Sequence, residues 1–412
     1  MDVWVGRQPI FDGDVKVRAY EVLYRSGARG SRHVVGEDRA TAETIVHTFI
    51  DLGLETITGG RRAFLNFSRE MLVGGFAELL PADAVVIEVL EHTGADDAVI
   101  EACDRLKRAG YRLALDDYVH GTGSHELLVP MADIIKVDFK RSSVEARLEA
   151  VRQLKRPGRV MLAEKVESER QFEWARRNGY EHFQGFFFAR PSNVHGEQIP
   201  QAKASYIRLL SVLREQTLDL DELAGIIKSD VSLSHTLLRM LNSAGFAWRR
   251  RIESVRHALV ALGEDATRRW LSLLCLTAIA ADRPPELVVQ SLTRARFLEA
   301  LAPGIGLESR QTDLFFMGVV SLLGAILRRP LAAIVPQLGL PEDVEAALLG
   351  RGTDMGHALD LARAFENGDW RSVSKLCGSL GASLQTVPGL YIEAAQHATR
   401  ALGIEDRGDQ ET

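Results

Sequence analysis

Residues 84–117, AVVIEVLEHTGADDAVIEACDRLKRAGYRLALDD, read as one strand–helix–strand unit. The apolar run VIEVLE is short and ends on a charge. After a Gly/Asp turn, DDAVIEACDRLKRAG places apolar residues every three or four positions and charge on the remainder, the period of an amphipathic helix. A second apolar run, LALDD, closes the unit and stops on two acids. Strand, helix and strand in this order predict an α/β fold with mostly parallel strands.

Working outward, the same texture runs from Val3 to about Pro191. Apolar runs that end in polar groups recur in YEVLYR (20–25), FLNFS (64–68), IIKVD (134–138), VMLAEKVE (160–167) and HFQGFFF (182–188), separated by helical stretches such as SSVEARLEAVRQLKR. VWVGRQPIF and VRAYEVLYR lie close enough together for the first two strands to pair directly. Eight strand candidates suit a closed (β/α)8 barrel. In such a barrel the site forms at the C-terminal strand ends, which nominates Glu21, Asn66, Glu91, Asp116, Asp117, Lys136, Glu164, Glu167 and Gln184. Glu88 lies three residues before Glu91, so alternation is expected to turn it to the opposite face as a structural ion-pair residue. Carboxylates crowded in this way repel one another unless a cation intervenes, so a divalent-metal site is expected.

The 412 residues allow two or three domains, and 46% hydrophobic content supplies large cores. No apolar run reaches the ~18–20 residues of a membrane span, and the residues after Met1 do not resemble a signal peptide, so a cytoplasmic protein without membrane association is expected. Cys103, Cys275 and Cys377 lack CxxC spacing and predict buried free thiols rather than a disulfide framework or a zinc site. A formal charge of -6 argues against non-specific binding to nucleic acid.

Beyond Pro191 the chain turns helical nearly throughout, in segments such as LDELAGIIKSD, RRWLSLLCLTAIAA, TDLFFMGVVSLLGAIL and LYIEAAQHATRALG. The expected division is a barrel over 1–193, a linker and connecting helix over 194–216, an all-α domain over 217–402 and a frayed tail over 403–412.

The first half resembles the EAL domain, the bacterial cyclic di-GMP phosphodiesterase family. The resemblance rests on Glu21-Val22-Leu23-Tyr24-Arg25 after Gln8-Pro9-Ile10, then on Asn66, Glu91, Asp116-Asp117, Lys136, Glu164, Glu167 and Gln184 in the family's order. It implies two Mg²⁺ or Mn²⁺ ions, one on Glu21, Asn66, Glu91 and Asp116 and a second on Asp116 and Asp117, with Glu167 as a ligand or brace. It further implies Lys136 and Glu164 beside the attacking water, with Glu164 as general base, and Gln8, Arg25 and Gln184 toward the substrate. The run Tyr118-Val119-His120-Gly121-Thr122-Gly123 departs from the DDFGTG of active members, Leu90 replaces a threonine, and SRHVVGEDRATAETI follows Arg25. These features resemble the YuxH-like branch of EAL domains, some of whose members are degenerate.

The second half resembles the HDOD module, a helical relative of HD phosphohydrolases. The resemblance is carried by Lys228-Ser229-Asp230, SLSHTLLRMLNSAGF and IESVRHALVALG, with Ser321-Leu322 where an HD enzyme places its metal-binding pair. No His-Asp dipeptide occurs, so no metal is expected there and the module reads as an output domain with a protein partner. Two functions follow: a metal-dependent phosphodiesterase opening cyclic di-GMP to pGpG, or a non-catalytic receptor or scaffold binding nucleotide or protein. The family's barrels also pair through the altered loop, which implies a possible homodimer.

Overall fold

In a computed structural model of the chain, the described residues are 3–26, 54–118, 126–189, 201–215, 217–229, 234 and 254–402. Eight strands close a barrel in sequence order: β1 Val3–Phe11, β2 Val17–Ser26, β3 Arg62–Phe67, β4 Val85–Val89, β5 Arg112–Tyr118, β6 Ile134–Asp138, β7 Val160–Glu164 and β8 His182–Gln184. β1 runs antiparallel to both neighbours, β2 and β8, and every other pairing is parallel. The short connection from β1 to β2 forces this reversal, because a parallel pair needs a crossover of a dozen or more residues. Asp12 closes the hairpin: its Oδ1 accepts from the backbone N–H groups of Asp14 and Lys16, each at 2.9 Å.

The barrel helices are α1 Leu54–Thr58, α2 Arg69–Val73, α3 Asp97–Arg108, α4 Val144–Leu154 and α5 Glu169–Arg177. Side-chain N-caps set where four of them start: Ser68 for α2, Asp96 for α3, Ser143 for α4 and Ser168 for α5 each accept from a backbone N–H three residues on. Each cap contributes about 1 kcal/mol and fixes the exit from the preceding strand, where the site is built. Strand residues facing outward, among them Val22, Leu65, Ile87, Leu115 and Ile135, share one core with the helix residues Ala102, Cys103, Leu106, Leu154 and Phe172. The seam between β8 and β1 is filled by aromatics, with Phe11 and Phe188 at 4.6 Å and Phe172 stacked on Phe187 at 4.6 Å.

A second compact unit, Pro191–Leu359, is helical: α6 Gln201–Leu213, α7 Leu220–Ser229, α8 Val255–Leu262, α9 Glu264–Ile279, α10 Glu286–Leu301, α11 Gln311–Val320, α12 Leu323–Ile326 and α13 Glu342–Leu348. Its centre is the pair α10 and α11, where Gly318 lies so close to Ala295 that a Cβ would fall 2.3 Å from that residue's backbone. Ser321 ends α11 and is held by two bonds: its Oγ accepts from Arg294 Nη1 at 3.1 Å and donates to the Gly318 carbonyl at 2.8 Å. No described helix is long and apolar enough to cross a membrane.

The last helices divide differently from the expected boundaries. After α14 Asp354–Glu366 come α15 Trp370–Leu380 and α16 Val387–Ala401, and the chain from Asp360 onward belongs to the barrel's compact unit rather than to a helical domain over 217–402. The β1–β2 hairpin supplies the reason. With no crossover helix between them, these strands lack the cover that each parallel βα repeat carries. The C-terminal helices supply it. α16 packs on β1, where Arg7 donates to the Ile57 carbonyl at 2.5 Å and to Thr399 Oγ1 at 3.0 Å, its guanidinium 4.6 Å from the Tyr20 ring. On the opposite face Trp4 meets Trp370 edge-on at 6.1 Å, and Gly6 leaves room for the Phe365 carbonyl, which a Cβ would approach to 2.4 Å. The helical unit is thus an insertion in a barrel unit that resumes after it.

Candidate active site

The barrel interior carries an apolar layer of Ile10, Ala19, Phe64, Val86, Ala114, Ile134 and Leu162. Strand side chains on one face recur every second residue, so the next inward position lies two residues further toward the C-terminal ends. On β2 to β7 these positions are Glu21, Asn66, Glu88, Asp116, Lys136 and Glu164. On β8 the step from His182 reaches Gln184. On the reversed β1 it runs backward from Ile10 to Gln8. The polar layer is therefore a direct product of pleat and register.

Lys136 is fully buried at its centre, with Nζ 2.7 Å from Glu88 Oε1, 2.7 Å from Glu164 Oε1, 2.8 Å from Asp116 Oδ1 and 3.3 Å from Glu21 Oε2. Four carboxylates thus surround one ammonium. Gln184 Nε2 donates to Glu21 Oε2 at 2.7 Å and to Gln8 Oε1 at 2.9 Å, while Asn66 Nδ2 reaches Glu21 Oε1 at 3.3 Å. Gly185, at φ +139°, holds Gln184 in place by letting the chain pass Val166, whose carbonyl a Cβ would approach to 2.2 Å.

The electrostatics follow from this crowding. Burial, then repulsion from Glu21, pushes the Glu88 carboxyl well above its ordinary value. Glu164 also rises, by burial and by Asp116 and Glu21, against the pull of Lys136. For Asp116, burial is outweighed by Lys136, with help from Lys165, and the carboxyl is lowered. The four acids in turn overcome burial and raise Lys136.

β5 brings both members of the acidic pair to the site through a bulge. Leu115 lies opposite Ile135 and Tyr118 opposite Val137, so Asp116 and Asp117 together face the single residue Lys136. The extra residue, Asp117, takes the left-handed conformation at φ +44°. Lys165, the first residue past β7, does the same at φ +53°. Each conformation costs on the order of 1–3 kcal/mol. Their side chains meet: Lys165 Nζ donates to Asp117 Oδ1 and Asp138 Oδ2, both at 2.7 Å.

Several sequence expectations are placed elsewhere. β4 ends at Val89, which leaves Glu91 in the following turn with a 42% exposed side chain 3.8 Å from His92. Glu88, expected on the other face, occupies the inward position instead. Glu167 stands at the rim, half-exposed, with Oε1 3.0 Å from Lys140 Nζ. Arg25 lies on β2 opposite Trp4, and its side chain, like the segment 119–125 with Val119 and His120, lies outside the described residues. So does the SRHVVGEDRATAETI segment after Arg25. The sequence reading missed Lys165 and Asp138; the two-residue step on β6 from Lys136 would have found the latter.

Asp116, Asp117 and Glu164 offer ligand oxygens all within 4.8 Å of one another, a cluster capable of holding a divalent metal. Around them, Asn66 Oδ1, both Glu88 oxygens, Glu164 Oε2 and Gln184 Oε1 are buried without a hydrogen-bond donor. Lys136 Nζ meets Glu88 Oε1 at 2.7 Å as an ion pair. Such orphaned acceptors carry a desolvation cost that a cation would relieve. Carboxylate and amide oxygens, with no thiolate among them, suit Mg²⁺ or Mn²⁺.

A cyclic di-GMP phosphodiesterase, CdgJ, of Vibrio cholerae serotype O1 is 33% identical over 394 residues, covering 95% of this chain and 91% of that protein. The chain belongs to the EAL–HDOD family. The EAL domain model matches residues 43–191 and the HDOD domain model residues 199–337. YuxH of Bacillus subtilis, an uncharacterised protein, is 31% identical across 92% of this chain and 94% of its own length. Among solved structures, BlrP1 of Klebsiella pneumoniae in a calcium/cyclic di-GMP complex is 26% identical over 46% of this chain and 56% of that one, with a TM-score of 0.38. The protein is a bacterial EAL–HDOD signalling protein related to cyclic di-GMP phosphodiesterases. Its EAL barrel carries the acidic cluster, and its HDOD domain lies within the inserted helical unit.

Proposed function

We propose that the EAL barrel hydrolyses cyclic di-GMP to linear pGpG in a divalent-metal-dependent reaction, and that the HDOD domain is its output or regulatory module. The observation that carries this reading is the layer of orphaned oxygen donors around Lys136, in a chain whose relative along nearly its whole length is a cyclic di-GMP phosphodiesterase.

Of the acidic cluster, Asp116 would hold the metal together with Glu21, Asn66 and Glu88, while Glu164 would border it and Asp117 would lie on the far side of the bulge. Bound there, Mg²⁺ or Mn²⁺ supplies charge stabilisation on phosphoryl oxygens and activation of a water. Glu164 is the proton acceptor: Lys136 fixes its Oε1, and its Oε2 is left to receive the proton. Lys136 holds the four carboxylates around one ammonium. Gln184 locks Glu21 and Gln8 into their orientations. Glu91 and Glu167, outside the polar layer, would act on the loops bordering the site. A cytoplasmic location, a homodimer through the barrel and a protein partner of the HDOD domain accompany this reading.

The test is incubation of full-length protein with cyclic di-GMP and Mn²⁺, following pGpG by chromatography, beside Glu164→Gln. Turnover lost in the variant with nucleotide binding kept supports the assignment. Binding without turnover by the wild type would make the barrel a receptor, and neither would leave a protein-interaction scaffold.

A further inference from the structure

Asp117 belongs to the acidic pair on β5, and two cations of the protein already face it. Lys165 Nζ lies 2.7 Å from its Oδ1, and Arg141 Nη1 lies 3.5 Å from its Oδ2. Lys165 at the same time binds Asp138, whose side chain is 1% exposed and whose other oxygen accepts from the backbone N–H groups of Lys140 at 2.6 Å and Arg141 at 3.0 Å. One ammonium thus bridges two carboxylates from adjoining strands, which is what a metal ion shared between them would do.

The contrast with the other side of the site is sharp. Around Lys136 there are four carboxylates for one ammonium, and orphaned oxygens remain on Glu88 and Glu164. Around Lys165 two carboxylates meet an ammonium and a guanidinium, and the charges balance. The first group is short of positive charge; the second is not. The backbone agrees, because Lys165 adopts a left-handed conformation at φ +53° that favours glycine, and this conformation directs its side chain to Asp117 and Asp138.

We infer that Lys165 is a tethered cation standing in the second metal position, so that this barrel takes one divalent ion where the acidic pair would otherwise support two. The inference rests on the metal-dependent reading above and narrows it. Lys165 is a specificity-determining residue for metal number, and phosphodiester hydrolysis here would use one metal.

Mn²⁺ stoichiometry on the full-length protein tests this without any activity measurement. Calorimetric titration, with electron paramagnetic resonance of bound Mn²⁺, should give one ion per wild-type chain and no spin-coupled pair. Lys165→Gly, which removes the ammonium and suits the backbone angle, should take a second ion about 3.5–4 Å from the first and show the coupled signal. Lys165→Met removes the charge while keeping the side-chain bulk, and should also gain the second ion. Two ions in the wild type, or one in both variants, would overturn the inference while leaving the metal reading intact. No Mn²⁺ bound by any of the three would overturn both.

Discussion

Asn66 on β3 and Glu88 on β4 are direct partners across a parallel ladder, so their side chains enter the barrel from the same face. Glu91 sits three residues later, beyond the strand. We expect Glu88→Gln to weaken Mn²⁺ binding by at least about 10–100-fold and Glu91→Gln to change it little, as measured by calorimetry. Equal losses in the two variants would count against the register argument.

The same carboxylate gives stability a pH dependence. Glu88 is raised by burial and by Glu21, so folding takes up a proton as pH climbs past its ordinary value of 4.5. Its destabilising effect is absent below 4.5, grows as pH rises toward the raised value and then levels off. In EDTA, Glu88→Gln should therefore gain thermal stability over the wild type across that window. Saturating Mn²⁺ should reverse the order, because the wild type gains about 2.7 kcal/mol at a hundredfold excess over Kd. A gap that does not vary with pH would contradict the assigned burial.

Lys136→Met removes the ammonium shared by four carboxylates. Breaking a buried ion pair by deleting one partner costs about 3–5 kcal/mol, which for a unit of this size lowers the unfolding temperature by roughly 10 °C. Calorimetry in EDTA at neutral pH should show the loss, and acidification should shrink it as the acids protonate. A wild-type unfolding temperature would mean that the carboxylates are solvated.

The C-terminal helices should be integral to the barrel. Gly6→Val drives side-chain atoms into the Phe365 carbonyl and should cost about 1–3 kcal/mol. Limited proteolysis of this variant should release the segment after Asp360 sooner than in the wild type. Unchanged protection would show that α15 and α16 are not held by β1.

Much of the barrel was legible because two periods write it: helical patterning between strands, and a polar residue two positions after an apolar one within them. Ala19 to Glu21, Phe64 to Asn66, Ile134 to Lys136 and Leu162 to Glu164 all follow that step. Val86 to Glu88 follows it too, but the apolar Val89-Leu90 prolongs the run and shifts the apparent strand end to Glu91. The bulge at Asp117 and the turn at Lys165 were not legible, since both depend on left-handed angles at residues that do not favour them. The role of α16 was hidden for another reason: a helix pattern shows that one face is buried and does not say against what. Residues 119–125, whose departure from the family pattern motivated the receptor reading, lie outside the described residues.

If the proposed function holds, the inward layer and not the acids on the loops would perform the chemistry. The most direct measurement is Mn²⁺-dependent conversion of cyclic di-GMP to pGpG by the wild type, Glu88→Gln and Glu91→Gln side by side. Turnover is expected in the wild type, with retention within about threefold in Glu91→Gln and a loss of at least about a hundredfold in Glu88→Gln, roughly 2.7 kcal/mol of transition-state stabilisation. Full activity in Glu88→Gln, or loss confined to Glu91→Gln, would contradict it.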